Sequence, residues 1–204
     1  MNRFKWQKNN AFGKYYVLEG INGTGKFTQY KMLQKWFEKT NHPVYFTKEP
    51  TDGDIGQLLK QLLKEKSIDQ DQITFLFAAD RMEQMKKIRG LQKKGISIVS
   101  DRSYHSSLVY QRESIYTMLV NRGMLYPDRV FLLDMTPQHI QKRLSAREDR
   151  DTFKVDIEYL QQCREKYLWL ADNYSNFVKI DASMSRNKVH KAIVSVIAQD
   201  LSES

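Results

Sequence analysis

Gly20, Gly23 and Gly25 punctuate an eight-residue segment, Gly20-Ile21-Asn22-Gly23-Thr24-Gly25-Lys26-Phe27, that follows an apolar run and opens a helical pattern. Glycines at these spacings let a backbone turn through positive φ and bring its N–H groups against phosphate oxygens. Lys26, at the start of the ensuing helix, adds a point charge. The chemistry this suits is the cradling of a triphosphate tail by Gly20, Ile21, Asn22, Gly23, Thr24, Gly25, Lys26, Phe27 and Thr28. One position departs from the pattern. The motif GxxxxGK(S/T) places a hydroxyl directly after the lysine, where it ligates the Mg²⁺ of a bound nucleoside triphosphate. Phe27 stands there and has no oxygen to offer, and Thr28 points ~100° further around the helix, so it is no automatic substitute.

Two more charged clusters have phosphate character. One is Lys48-Glu49-Pro50-Thr51-Asp52-Gly53, the other Asp101-Arg102-Ser103, and each follows an apolar run. Arg102 carries a planar fork able to hold a monophosphate bidentately, and Asp101 suits a metal or the waters around it. An Asp-Arg pair alone also reads as a local salt bridge at a strand end. The glycine loop tips the reading toward phosphate.

These clusters need a frame. Apolar, β-branched or aromatic runs at Tyr15–Leu18, Val44–Thr47, Ile96–Ser100, Arg129–Asp134 and Phe177–Ile180 predict five buried strands. Helical spacing fills the intervals, as in Tyr30, Leu33, Trp36 and Phe37, or Ile55, Leu58, Leu59, Leu62 and Leu63. Strands without polar alternation imply burial on both faces, and alternation with helices implies right-handed crossovers. The expectation is a three-layer α/β domain with a parallel sheet. In such sheets ligands lie beyond the carboxyl ends of the strands, which is where the three clusters fall. Thr136-Pro137 predicts a capped helix start, with the helix running to about Arg147. The charge-dense stretch beyond it reads as a mobile lid at about 143–154 or as a solvated helix end. Residues 1–13 read as a flexible N-terminal extension and 14–204 as a single domain.

Composition narrows the ligands. Of 204 residues, 33 are Lys or Arg and 24 are Asp or Glu, a formal net charge of +9, which suits anionic partners. The basic residues are spread along the chain, which favours steering of small phosphates over nucleic acid. Cys163 is the only cysteine, so no intramolecular disulfide forms and a reducing, cytoplasmic setting is expected. No apolar run approaches a membrane span.

With these residues in view, the sequence resembles the thymidylate kinases, in particular their bacterial and archaeal branch. The resemblance rests on six motifs in order: Glu19 through Lys26, Lys48-Glu-Pro-Thr51, Leu76-Phe-Ala-Ala-Asp-Arg81, Asp101 through Gln111, Pro127-Asp128 and Asp181-Ala-Ser183. It implies the fold of the P-loop nucleoside triphosphatases, ATP and Mg²⁺ as cofactors, a homodimer, and transfer of the γ-phosphoryl group of ATP to dTMP. It also assigns roles to particular residues. Phe77 would stack on the thymine, Arg81 would reach its carbonyl edge, and Ser107 and Gln111 would face base and sugar. Arg102 and Lys48 would clamp the monophosphate, with Tyr110 as a sugar wall. Phe77 and Tyr110 read equally as core packing on local grounds. Because Gly23 stands where some members carry arginine, a lid arginine would serve in its place. Arg143, Arg147 and Arg150 are the candidates, with Arg147 favoured for catalysis beside Lys26 and Arg102 and Arg143 for the triphosphate.

Three departures bear on activity. Phe27 removes a metal ligand, Asn22, which the resemblance places at the acceptor's 3′-hydroxyl or the metal region, stands where a carboxylate is usual, and Lys48 replaces a fork with a point charge. They leave open a weakened thymidylate kinase, a nucleotide-binding protein that has lost catalysis, and a kinase for another acceptor such as dUMP.

Overall fold

Apolar runs become strands in the computed structural model, which describes residues 12–111, 115–145 and 156–203. The strands are β1 (Tyr15–Glu19), β2 (Val44–Lys48), β3 (Ser97–Asp101), β4 (Arg129–Asp134) and β5 (Phe177–Asp181). They form one parallel sheet in the order β2-β3-β1-β4-β5, so the alternation of strand and helix does signal an α/β fold. The helices among the described residues are α1 (Lys26–Phe37), α2 (Asp54–Glu65), α3 (Gln70–Gln92), α4 (Tyr104–Tyr110), α5 (Ile115–Val120), α6 (Pro137–Ser145), α7 (Ile157–Asn173) and α8 (Arg186–Ser202).

Burial on both faces holds for β1 and for most of β3 and β4. It fails for β2, where Val44, Tyr45 and Phe46 are half-buried, and for β5, where Lys179 is exposed. These two strands end the sheet order, so each has a neighbouring strand on one side only. Polar residues extend several strands past their apolar runs: β1 closes on Glu19, β3 on Asp101 and β5 on Asp181.

The chain divides into two compact units. One comprises Met1–Val17 and Asn41–Arg129, the other Leu18–Thr40 and Val130–Ser204. In the first, β2 and β3 pair with Val44 opposite Ser97 and Lys48 opposite Asp101, while α3 packs against α2, α4 and α5. Its core includes Tyr16, Leu59, Met85, Ile88, Ile98 and Val99. In the second, β4 and β5 pair with Val130 opposite Phe177 and Asp134 opposite Asp181, α1 packs on α8, and α6 on α7. Leu33, Phe131, Leu133, Ile140, Tyr167 and Ile193 fill that core.

Most helix starts follow capping chemistry, although α2 starts from Gly53 with no side-chain cap. Asp69 accepts from the backbone of Asp71 and Gln72 while the Gln72 side chain accepts from Asp69 N, a reciprocal box that starts α3. Ser103, Asp156 and Ser185 cap α4, α7 and α8, and Thr136 Oγ1 accepts from His139 N ahead of Pro137 as the sequence predicts.

Candidate functional site

Helix α1 starts without such help. Its N-cap is Gly25, at φ 98° in the left-handed region, with no side-chain cap and no acidic residue in the first turn. The leading N–H groups of a helix need an acceptor, and one that no side chain supplies is open to an anion. Arg143 borders this end, since a Cβ on Gly25 would lie 3.8 Å from its Nη1. Gly20 is required sterically as well as by its φ of 140°, because a Cβ there would meet the Leu133 carbonyl oxygen at 2.6 Å. Inside the loop, Thr24 Oγ1 donates to the Ile21 carbonyl, and Lys26 Nζ donates to the carbonyls of Gly20 and Ile21 at 2.7 and 3.0 Å. Ile21 is buried and anchors the loop, while Asn22 and Thr28 are exposed.

The floor beneath the loop is tied by polar contacts. Glu19, fully buried at the end of β1, accepts from Tyr167 OH at 2.7 Å. Asp134, at the end of β4, takes Arg164 bidentately at 2.7 and 2.8 Å, and that carboxylate raises the arginine's pKa.

A second cluster occupies the other unit. Arg81, on α3, is 4% exposed. Its Nε and Nη2 donate to Glu49, the latter at 2.6 Å, Nη2 also donates to Ser107 Oγ at 3.0 Å, and Nη1 donates to Asn121 Oδ1. Asp80, one residue earlier, accepts from both the backbone and hydroxyl of Thr51, which steadies the segment that carries Glu49. His105, beside Arg81, is buried with Nδ1 2.8 Å from Ser103 Oγ and its ring stacked on Tyr104. Burial, and secondarily the Arg81 charge, lower its pKa to about 3. Phe77 is half-buried one turn before Arg81, neither a closed core ring nor a free one.

Arg102 directly follows β3 at φ 76°, left-handed backbone on a bulky residue. Its Nη1 donates to Ser106 Oγ at 2.9 Å, and its guanidinium carbon sits 5.2 Å from the centroid of the Tyr110 ring. Tyr110 therefore serves as a platform for this cation. Gln111 is buried, with its Oε1 lacking a hydrogen-bond partner. Lys48 is half-exposed and pairs with Asp52 at 3.1 Å. Lys60 and then Lys48 hold the Asp52 carboxyl below the usual carboxylate range.

The donor set fits a triphosphate well and Mg²⁺ less well. The uncapped helix, Lys26 and Arg143 suit phosphate oxygens. Phe27 is 66% exposed with Lys31 Nζ 5.6 Å from its ring centroid, and it has no ligand atom. Among the described residues no group of three or more His, Cys, Asp or Glu is placed to hold a metal. Asp101, at the end of β3, is a single carboxylate and belongs to the other unit.

The described residues expected around the triphosphate lie in one unit, together with Asn22, which is also expected at the acceptor, and the other residues expected around the acceptor lie in the other. Arg147 and Arg150, with most of the expected lid, lie outside the described residues, as do residues 1–11 of the expected extension. The sequence reading missed Glu49, Asp80, Asn121 and His105 as the groups that orient Arg81 and its surroundings. Glu49, Asp80 and His105 fall inside the quoted motifs without any local mark of that role, and Asn121, just past α5, lies outside them.

Comparison with known proteins bears on both clusters. A family model described as thymidylate kinase matches residues 18–193. A relative named "Probable thymidylate kinase" from Thermococcus gammatolerans is 36% identical over 203 residues, covering 93% of this chain and 98% of its own length. Similar relatives of the same name come from Pyrococcus abyssi, at 37% over 200 residues with 93% and 98% coverage, and from Methanosphaera stadtmanae, at 36% over 190 residues with 88% and 94%. No helix among the described residues is long and apolar enough to cross a membrane.

Proposed function

This chain belongs to the thymidylate kinase family, and on that premise we propose that it transfers the γ-phosphoryl group of ATP to dTMP, giving ADP and dTDP. Membership makes it a nucleoside monophosphate kinase, a phosphotransferase. The observation that supports a triphosphate donor in this chain is the start of α1, without a side-chain cap, behind its glycine loop.

The triphosphate takes the leading N–H groups of α1, and Lys26 exchanges the Gly20 and Ile21 carbonyls for phosphate oxygens. Arg143 adds charge at the same end. For the acceptor, Phe77 offers a ring face, Arg81 and Ser107 polar edges, and Gln111 an amide oxygen without a partner. Arg102, braced by Ser106 and Tyr110, is the monophosphate clamp, and Lys48 contributes after leaving Asp52. Little covalent work falls to the protein, since positioning and charge neutralisation supply most of the acceleration. Mg²⁺, if bound, would supply charge neutralisation to the phosphates. Asp101 is the carboxylate suited to hold it or its waters.

The exposed Phe27 and Asn22 support slower Mg²⁺-dependent turnover than in members that carry a hydroxyl and a carboxylate there. They equally favour a second reading, a nucleotide-binding protein without catalysis. An acceptor of the dUMP type is a third, since a single methyl group is worth only ~1 kcal/mol in an apolar pocket. We also read the chain as a homodimer, because Phe75, Met82, Tyr116 and Leu119 stand exposed on adjacent helices, and as cytoplasmic, in keeping with a single cysteine. A coupled assay of ADP release with dTMP and with dUMP separates these readings. Turnover highest with dTMP is the expected result, and absence of dTMP-dependent ADP release would overturn the kinase assignment for this chain.

A further inference from the structure

Asn121 follows α5 and is 1% exposed, although that helix turns Ile115, Tyr116 and Leu119 outward. Its amide has one arrangement that satisfies both ends. Nδ2 donates to the Thr117 carbonyl at 2.7 Å, which leaves Oδ1 to accept from Arg81 Nη1. The other edge of the guanidinium, Nε and Nη2, is held by the Glu49 carboxylate. Acceptors on both edges, 32 and 40 residues away in sequence, therefore fix the plane of the fork. The division of labour has a physical reason. Glu49 already neutralises Arg81, and a second carboxylate would leave a net buried charge, whereas an amide supplies direction without charge.

Phe77 lies one turn earlier on the same helix, half-buried. A flat ring face beside a fixed planar donor suits a pyrimidine that presents carbonyl oxygens. We propose that Asn121 is a positioning residue for base selection: through Arg81 Nη1 it holds the donor fork that distinguishes a carbonyl-bearing thymine from an amino-bearing cytosine. The inference rests on the acceptor site being a thymidylate pocket. Thymine offers an oxygen at the 4-position where cytosine offers an N–H donor, so a fork still held by Glu49 and Ser107 but no longer anchored at Nη1 discriminates less.

The test compares wild type with Asn121→Leu, which keeps the side-chain size but accepts nothing. The expected result is a rise of about 10-fold or more in the KM and Kd for dTMP, with kcat and the Kd for ATP within about twofold of wild type. The dTMP to dCMP selectivity ratio falls in parallel. A purely structural asparagine would move ATP and dTMP together and leave the ratio alone. If the leucine variant does not fold, Asn121→Ser, too short to reach Arg81, carries the same expectation. Unchanged dTMP affinity and selectivity in a folded variant overturns the inference alone. Wild-type protein that binds ATP but no dTMP overturns the acceptor-site reading, and the inference with it.

Discussion

At the scale of single residues, Phe27 and His105 make opposite demands on the same chemistry. Phe27 is where a hydroxyl would ligate metal, and its 66% exposure means that no packing depends on the ring. Phe27→Ser should therefore raise Mg²⁺-dependent turnover ~10- to 100-fold, the worth of one charge-assisted contact, at little cost to stability. A Mg²⁺ titration of the dTMP-dependent rate checks it, and identical curves for the two proteins would refute it. His105 is locked in place and must stay neutral. Its folded pKa of about 3 lies below the ordinary value of 6.5, so protons bind the unfolded chain more readily. Its neutral form stabilises the fold fully above pH 6.5, and that contribution drains away as the pH falls toward 3. The loss should approach roughly 1.4 kcal/mol per pH unit in the lower part of that window. Urea denaturation from pH 7 to pH 4 should show the slope in wild type, and His105→Phe should flatten it.

At the scale of elements, what the sequence reveals follows the range of the forces involved. Strand positions are legible because burial of an apolar run is a local signal, and β4 falls at Arg129–Asp134 as the pattern predicts. The glycine loop is legible for the same reason, its backbone demands being met by neighbouring residues. Arg81's partners are not, since Glu49 and Asn121 are 32 and 40 residues distant and no periodicity marks either. The Tyr167 to Glu19 contact spans 148 residues and is equally silent in sequence. It fastens α7 to the end of β1, so Tyr167→Phe should cost ~1–3 kcal/mol by removing a donor from a buried carboxylate. The start of α3 is a useful contrast. Asp69→Ala breaks its capping box and should cost ~1 kcal/mol in urea denaturation while leaving the KM for dTMP unchanged.

At the scale of the whole molecule, the +9 charge and the exposed apolar side chains govern how the protein meets its partners. Phe75 and Tyr116, with ring centroids 5.8 Å apart, form the centre of the proposed dimer face. Sedimentation velocity should show a dimer for wild type and a monomer for Tyr116→Glu, and a monomeric wild type would remove that proposal. Arg102 carries a different consequence for the molecule as a whole. An arginine held at φ 76° forgoes on the order of 1 kcal/mol that a glycine would recover, and most domains have only ~5–15 kcal/mol to draw on. Directed evolution for heat tolerance alone should therefore enrich glycine at this position, yielding proteins that melt a few degrees higher and lack the proposed clamp on the acceptor phosphate.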